Sequence, residues 1–430
     1  MRICLLSNTY SPHVGGVARS VETLAEQCRA AGHEVLVVAP SFPGDRHERA
    51  PDVLRVPAWQ NFNGSDFSVR VPVPKGIRAR IRRFRPDVLH SHHPFLMGDT
   101  ALRIAYALNL PLVFTHHTLY EQYTHYVPFD SPALKRFVIE LATEYANACD
   151  AVIAPSGSIA RLLHERGVET AVHVIPTGID ADAFGSGSGE RFRRERGIPE
   201  DAVVIGHVGR LAREKNLPFL AAAVAEALGR DPRAWFLVVG DGPESTAVQR
   251  AVTAAGGAGR LLMTGKLTAG LLHDAYAAMD LFAFASQSET QGMVLCEAMA
   301  AGLPVVALDG PGVRDVLEDG VNGRLLAAES GASELAEALL GLAEDAATRS
   351  RWSQAARRTA GRYDRARCAA EVLALYDSLR QAAVARPGDW SWWDRLLGRV
   401  EAEWELISAK AESAGRGLKS GGRRGHRSTE

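Results

Sequence analysis

The chain has 430 residues, 46% of them hydrophobic and 23% charged, with 49 Lys and Arg against 50 Asp and Glu. That length suits two or three domains, and the composition excludes a disordered, collagenous or mini-protein chain. The even charge balance excludes a globally basic nucleic-acid binder, and the five scattered cysteines, with no C-x-x-C pair, exclude a disulfide framework and suit a reducing, cytoplasmic compartment.

Arg2–Ser7 (RICLLS) is a short apolar run of the kind that forms a buried parallel strand, too brief for a signal-peptide core. A Gly/Pro-punctuated loop, Ser11–Gly16, leads into Val17–Ala31, where Val17, Val21, Leu24, Ala25 and Cys28 recur at helical spacing and Gly32 ends the helix. Glu34–Ala39 (EVLVVA) is the next strand, which makes a right-handed βαβ unit. Further strands are expected at Val88–His90, Leu112–Thr115, Ala151–Ala154 and Val172–Ile175, with helices at Leu96–Leu108 and Pro132–Ala148. Gly185–Gly189 (GSGSG) is a compositional break. After it the alternation restarts with strands at Ala202–Val208, Trp235–Gly240, Leu261–Thr264, Leu281–Ala285 and Pro304–Ala307.

Two such series predict an α/β protein with two Rossmann-like, doubly wound domains facing one cleft, residues 1–184 and 185–364. A helix at Arg365–Leu379, within a segment 365–384, follows and is expected to return to the first domain. Residues 385–430 hold four of the seven tryptophans (Trp390, Trp392, Trp393, Trp404), then a Gly/Ser/Arg-rich end expected to be disordered. No run of ~20 apolar residues marks a membrane-spanning helix.

Four segments carry candidate chemistry. Gly15–Gly16, between the first strand and the first helix, lets backbone N–H groups approach an anion; a plain tight turn is the alternative. Six of the 14 histidines lie between His90 and His125, and His90–His93 and His116–His117 end two strands on one edge of the sheet. No carboxylate at ligand spacing accompanies them, so one or two are expected on substrate and the rest in support, with no metal. Arg210 and Lys215 follow the first strand of the second series, where fixed cations suit a diphosphate whose charge grows as it leaves; Arg213 and Glu214 read as solvated charges. The strongest signal is Ser288–Val306 (SETQGMVLCEAMAAGLPVV), with Glu289 in a loop and Glu297 eight residues on, inside a helix over Met293–Ala301. The N–H groups of Gly292, Met293 and Val294 would hold phosphate oxygens, Glu289 sugar hydroxyls and Glu297 both hydroxyls of a ribose.

Glu289–Glu297, together with Gly15–Gly16, Thr115–His117, Pro176–Asp180 (PTGID), Arg210–Lys215 and Gly240–Pro243 (GDGP) in that order, resembles the retaining GT-B glycosyltransferases of family 4 over most of residues 1–380. The resemblance implies hexose transfer from a nucleotide-diphosphate sugar, of the UDP-glucose or GDP-mannose type, with no other cofactor. It implies that Glu289 binds the donor sugar, Glu297 the ribose, Arg210 and Lys215 the diphosphate, Gly16 a phosphate, and His117 the sugar near its reacting centre. It also implies same-face attack with the leaving phosphate as base, so no protein nucleophile is assigned.

His117–Tyr123 (HTLYEQY), the following His125–Pro128, and Glu289–Gly292 (ETQG) are similar to diacylglycerol glycosyltransferases. This places Tyr120 and Tyr126 near a lipid acceptor. Lys75–Arg85 (KGIRARIRRFR) carries six Lys and Arg and no acid, with Ile77, Ile81 and Phe84 on one helical face. Lys75, Arg78, Arg82 and Arg83 suit an anionic bilayer, the alternative being an apolar stripe packed on the domain. The expectation is a peripheral enzyme at the cytoplasmic face of the membrane, with no nucleic-acid partner; the oligomeric state is left open. A family-4 enzyme with a soluble or polysaccharide-precursor acceptor is the alternative, and a non-catalytic sugar-nucleotide-binding scaffold a further one.

Overall fold

The computed structural model describes residues 1–13, 15–41, 51–59, 69–70, 75–124 and 131–382, the backbone alone at 58–59, 69–70 and 75. Tyr126, the side chain of Lys75 and the tail from 383 onward lie outside the described residues.

Continuous apolar runs build two parallel sheets. The first contains β1 (Arg2–Leu6), β2 (Glu34–Pro40) and β3 (Val53–Val56); a separate two-stranded ribbon of β4 (Ala58–Trp59) and β5 (Val69–Arg70) follows in the chain. The first sheet continues with β6 (Val88–Ser91), β7 (Leu112–Thr115), β8 (Ala151–Ala154) and β9 (Val172–Val174), in the order β3-β2-β1-β6-β7-β8-β9. The second contains β10 (Val203–Val208), β11 (Ala234–Val239), β12 (Leu261–Met263), β13 (Leu281–Phe284), β14 (Val305–Leu308) and β15 (Gly323–Leu326), in the order β12-β11-β10-β13-β14-β15. The inner strands are buried on both faces, which is why they read as hydrophobic runs rather than alternating ones. In each sheet the order reverses beside the first strand. That switch opens a crevice at the carboxyl edge, between β1 and β6 and between β10 and β13.

Each sheet is covered on both faces. The helix Arg365–Gln381 sends Val372, Leu375 and Tyr376 into the layer formed by Val21, Ala25 and Cys28 of the helix Gly16–Ala30, so the chain's last described helix completes the first sheet. Ile179, Phe184 and Phe192 lie in the core of the second sheet, so that unit's packing begins before Gly185. The glycine-rich run between them is not a slack linker. A Cβ on Gly187 would lie 2.2 Å from the His273 carbonyl oxygen, and one on Gly189 2.1 Å from that of Ala277. The glycines are there because two backbones touch.

The helix Lys75–Phe84 forms as its periodicity predicts, and its apolar stripe is used internally: Ile77 and Ile81 are buried in the first core and Phe84 packs against it. Arg78, Arg82 and Arg83 are exposed. The helix therefore offers a surface charge and not an inserting apolar face. All five cysteines are free and buried. No helix among the described residues is long and apolar enough to cross a membrane.

Candidate active site

The carboxyl edges of the two sheets meet, and the candidate residues converge there. On the second unit, β10 runs into Gly209–Arg210. This loop is held from behind by the GDGP segment, where Leu211 N donates to the Asp241 carbonyl (2.9 Å) and Glu244 N to the Leu211 carbonyl (2.9 Å). Arg210 ion-pairs with Glu214, whose side chain is only 3% exposed. Glu214 also anchors the loop after β13, because its carbonyl accepts from the hydroxyls of Ser286 (3.3 Å) and Ser288 (3.2 Å). Glu214 is thus a buried partner and not a solvated charge; Arg213 does face solvent.

Lys215 ion-pairs with Glu289. Burial alone would raise the Glu289 carboxyl, but the charge and hydrogen bond of Lys215, joined by Ser286 and His207, together outweigh it and hold the carboxyl below its ordinary range. Burial alone would lower Lys215, and Glu289 with Tyr123 and Glu214 together outweigh that in turn, leaving the ammonium above its ordinary value. Both groups therefore stay charged through neutral pH. Gly292 caps the helix Met293–Ala300 at φ 75°, a left-handed conformation that suits glycine, and turns the first N–H groups at Met293 and Val294 to the start of the helix.

The loop between the two glutamates spans to the first unit. Thr290 Oγ1 donates to the carbonyl of His117 (2.8 Å). The Gln291 amide clamps Thr177 of the PTGID segment from both sides, accepting from its N–H at 2.6 Å and donating to its carbonyl at 2.8 Å. Thr177 Oγ1 in turn meets Ser20 Oγ at 2.9 Å. His117 follows β7 and faces His92, with Nε2 2.9 Å from His92 Nδ1. Burial pushes His117 down to about 3, so it acts as a neutral hydrogen-bonding imidazole. His90 is tied to Tyr376 (2.5 Å) and Thr115 (2.7 Å), and His93 accepts from Asn8 N (3.1 Å). The described members of the histidine cluster are thus mostly internal support, and His125 lies outside the described residues. Among the described residues no group of three or more His, Cys, Asp or Glu is placed to hold a metal.

Glu297 is fully buried. Tyr276 donates to Oε2 at 2.9 Å, and the Arg19 guanidinium lies 2.8 Å from Oε1, across from the first unit. Gly16 opens the helix that carries Arg19, and a Cβ there would meet nothing within 4 Å. Tyr120 is half-buried against Phe95 and His116, with a hydroxyl that has no partner among the described residues. Arg78, Arg82 and Arg83 lie on a separate helix and, among the described residues, bond to none of these groups. Sequence reasoning missed Arg19, Tyr276, Thr177 and the pairing role of Glu214. Only Thr177 carried a signal, since it lies inside PTGID.

The site joins fixed cations, helix N–H groups, paired carboxylates and a neutral imidazole at a two-domain cleft, a combination able to bind an anionic diphosphate beside a polyol. Residues 14–183 match the model of Glycosyltransferase Family 4 and residues 188–359 that of Glycosyl transferases group 1. An alpha-monoglucosyldiacylglycerol synthase of Acholeplasma laidlawii is 32% identical over 75% of this chain and 84% of its own length. The chain belongs to glycosyltransferase family 4. A GDP-mannose-dependent alpha-mannosyltransferase of Mycobacterium tuberculosis is also 32% identical, over 88% of this chain and 97% of its own. The family-4 architecture is GT-B, and the Anabaena protein HepE, solved with UDP-glucose, superposes with a TM-score of 0.71 over 88% of this chain and 100% of its own at 21% identity. This family-4 chain is a hexosyltransferase.

Proposed function

We propose that this family-4 enzyme transfers a hexose, with retained anomeric configuration, from a nucleotide-diphosphate sugar to a diacylglycerol-type lipid. It would work as a peripheral protein on the anionic, cytoplasmic face of a membrane. The observation that carries the reading is the convergence of the Lys215–Glu289 pair and His117 at the meeting edges of the two sheets. Arg210 and Lys215 would neutralise the diphosphate, with the N–H groups of Gly16, Gly292, Met293 and Val294 supporting its oxygens. Glu289 would accept from the donor sugar's hydroxyls and Glu297 from the ribose. His117, neutral and braced by His92, would hydrogen-bond the sugar beside its reacting carbon.

The lipid acceptor is supported by the synthase relative and by the outward guanidinium face of Lys75–Phe84. Tyr120, beside Phe95, lies near enough to His117 in the chain to line an apolar acceptor path, with Tyr126 further along the same segment. GDP-mannose as donor is a second reading, favoured by the mannosyltransferase relative's longer match. The test is a matrix of UDP- and GDP-hexoses against diacylglycerol, a glycosyl-diacylglycerol and a soluble acceptor. The expected result is a glycolipid formed by wild type and lost in Glu289→Ala with the fold intact. Transfer only to the soluble acceptor, or full turnover by Glu289→Ala, would refute the reading.

A further inference from the structure

Glu297 poses a problem that the donor reading does not solve. Its carboxylate is wholly buried, Tyr276 holds Oε2, and Oε1 has Arg19 at 2.8 Å yet receives no well-aligned hydrogen bond among the described residues. Because Glu297 is fully buried, a ribose can reach this carboxylate only if a side chain covering it moves. Tyr276 is itself fully buried, whereas the Arg19 side chain is 40% exposed and can leave with little desolvation. An acceptor lacking an aligned donor is also what a hydroxyl would satisfy better than a skewed guanidinium.

The charges point the same way. Arg210 pairs with Glu214, Lys215 with Glu289 and Arg19 with Glu297, so the three ion pairs around the cleft leave no net charge. A nucleoside diphosphate adds at least two negative charges and must find cations that change partner. Arg19 springs from the first turn of the helix Gly16–Ala30, at whose open N-terminus Gly16 leaves room for an anion. A guanidinium matches phosphate oxygens with a two-pronged fork.

We propose that Arg19 is a donor-binding residue of this enzyme: the ribose hydroxyls of a nucleoside diphosphate take Glu297 from it, and its guanidinium moves onto the diphosphate. The exchange ties donor binding to the contact between the two units, because Arg19 and Glu297 come from opposite sides of the cleft. It rests on the donor-site reading above.

The test is calorimetric titration of the full chain with UDP, GDP, uridine and guanosine, for wild type, Arg19→Gln and Arg19→Lys. Arg19→Gln is expected to weaken the preferred diphosphate roughly tenfold or more, the usual effect of losing a charge-assisted hydrogen bond. The matching nucleoside should bind it at least as tightly as wild type, since Glu297 is uncovered. Arg19→Lys, which keeps the charge but not the fork, should show the same split in smaller size and stands in if Arg19→Gln does not fold. Equal loss for nucleoside and diphosphate, or an unchanged diphosphate, would overturn the exchange alone. Wild type that binds neither UDP nor GDP would overturn the donor-site reading and the exchange with it.

Discussion

Replacing Gln291 probes how the donor loop is held. The side chain is 4% exposed, and its amide satisfies both the N–H and the carbonyl of Thr177. Gln291→Ala leaves both backbone groups without that partner. Each unmade bond in a buried setting costs about 1–3 kcal/mol, and Thr177 is half-buried, so water recovers part of it. A loss of about 2 kcal/mol results, which lowers the melting temperature by roughly 4–8 °C for a unit of this size. Gln291→Glu separates the two bonds. Its carboxylate still accepts from Thr177 N–H but opposes the Thr177 carbonyl where the amide nitrogen donated. Burial and that oxygen raise the new carboxyl's pKa. A group raised in the folded state binds its proton as pH falls, and the protonated form regains a donor, so the defect should shrink under acidic conditions. Thermal unfolding of wild type and both variants, at mildly acidic and mildly alkaline pH, reads this directly. Melting of both variants with wild type, or a Gln291→Glu defect independent of pH, would refute the assignment of a two-way clamp.

The Lys215–Glu289 pair makes a pH prediction. The Glu289 carboxyl is depressed, so its contribution to stability is present above the unfolded carboxyl value and is lost as pH falls through the lower folded one. The Lys215 ammonium is raised, so its contribution is present below the unfolded amine value and is lost as pH rises through the folded one. In Lys215→Met burial acts on Glu289 without its opposing charge, and the acid limb of the transfer-rate profile should move to higher pH; an unmoved limb would show that Glu289 does not limit the rate. Reversing Arg78, Arg82 and Arg83 to Glu should abolish flotation with anionic vesicles and leave the melting temperature unchanged, because these side chains are exposed while Ile77 and Ile81 hold the helix. Unchanged flotation would move the membrane contact elsewhere.

The strands at the centre of each sheet were legible because both faces are buried, and residues 3–6 of β1, 35–39 of β2, 203–205 of β10 and 234–239 of β11 are uninterrupted apolar runs. The edge strands β3 (VLRV) and β15 (GRLL) were not, since an edge tolerates a charged residue and Arg55 and Arg324 break the pattern. The glycine-rich run was legible only as a compositional break, because composition cannot distinguish freedom from close contact; Gly187 and Gly189 are contacts. Within the site, Glu289, Glu297, Arg210, Lys215 and His117 stood out by motif. Their partners did not, because a pair such as Arg19–Glu297 joins residues far apart in the chain, and a local one such as Arg210–Glu214 carries no sign of its burial. Arg19 sits on an ordinary amphipathic helix, and Glu214 looks like any charge beside a loop until folding buries it. For the same reason the basic helix was legible as a helix, while the destination of its apolar stripe depended on tertiary packing.

The most direct measurement is the anomeric configuration of the hexose on the glycolipid that the enzyme makes from diacylglycerol vesicles, determined by nuclear magnetic resonance. The account predicts a lipid-linked hexose with the donor's own configuration. An inverted linkage, or donor consumption with no sugar on the lipid, would contradict it.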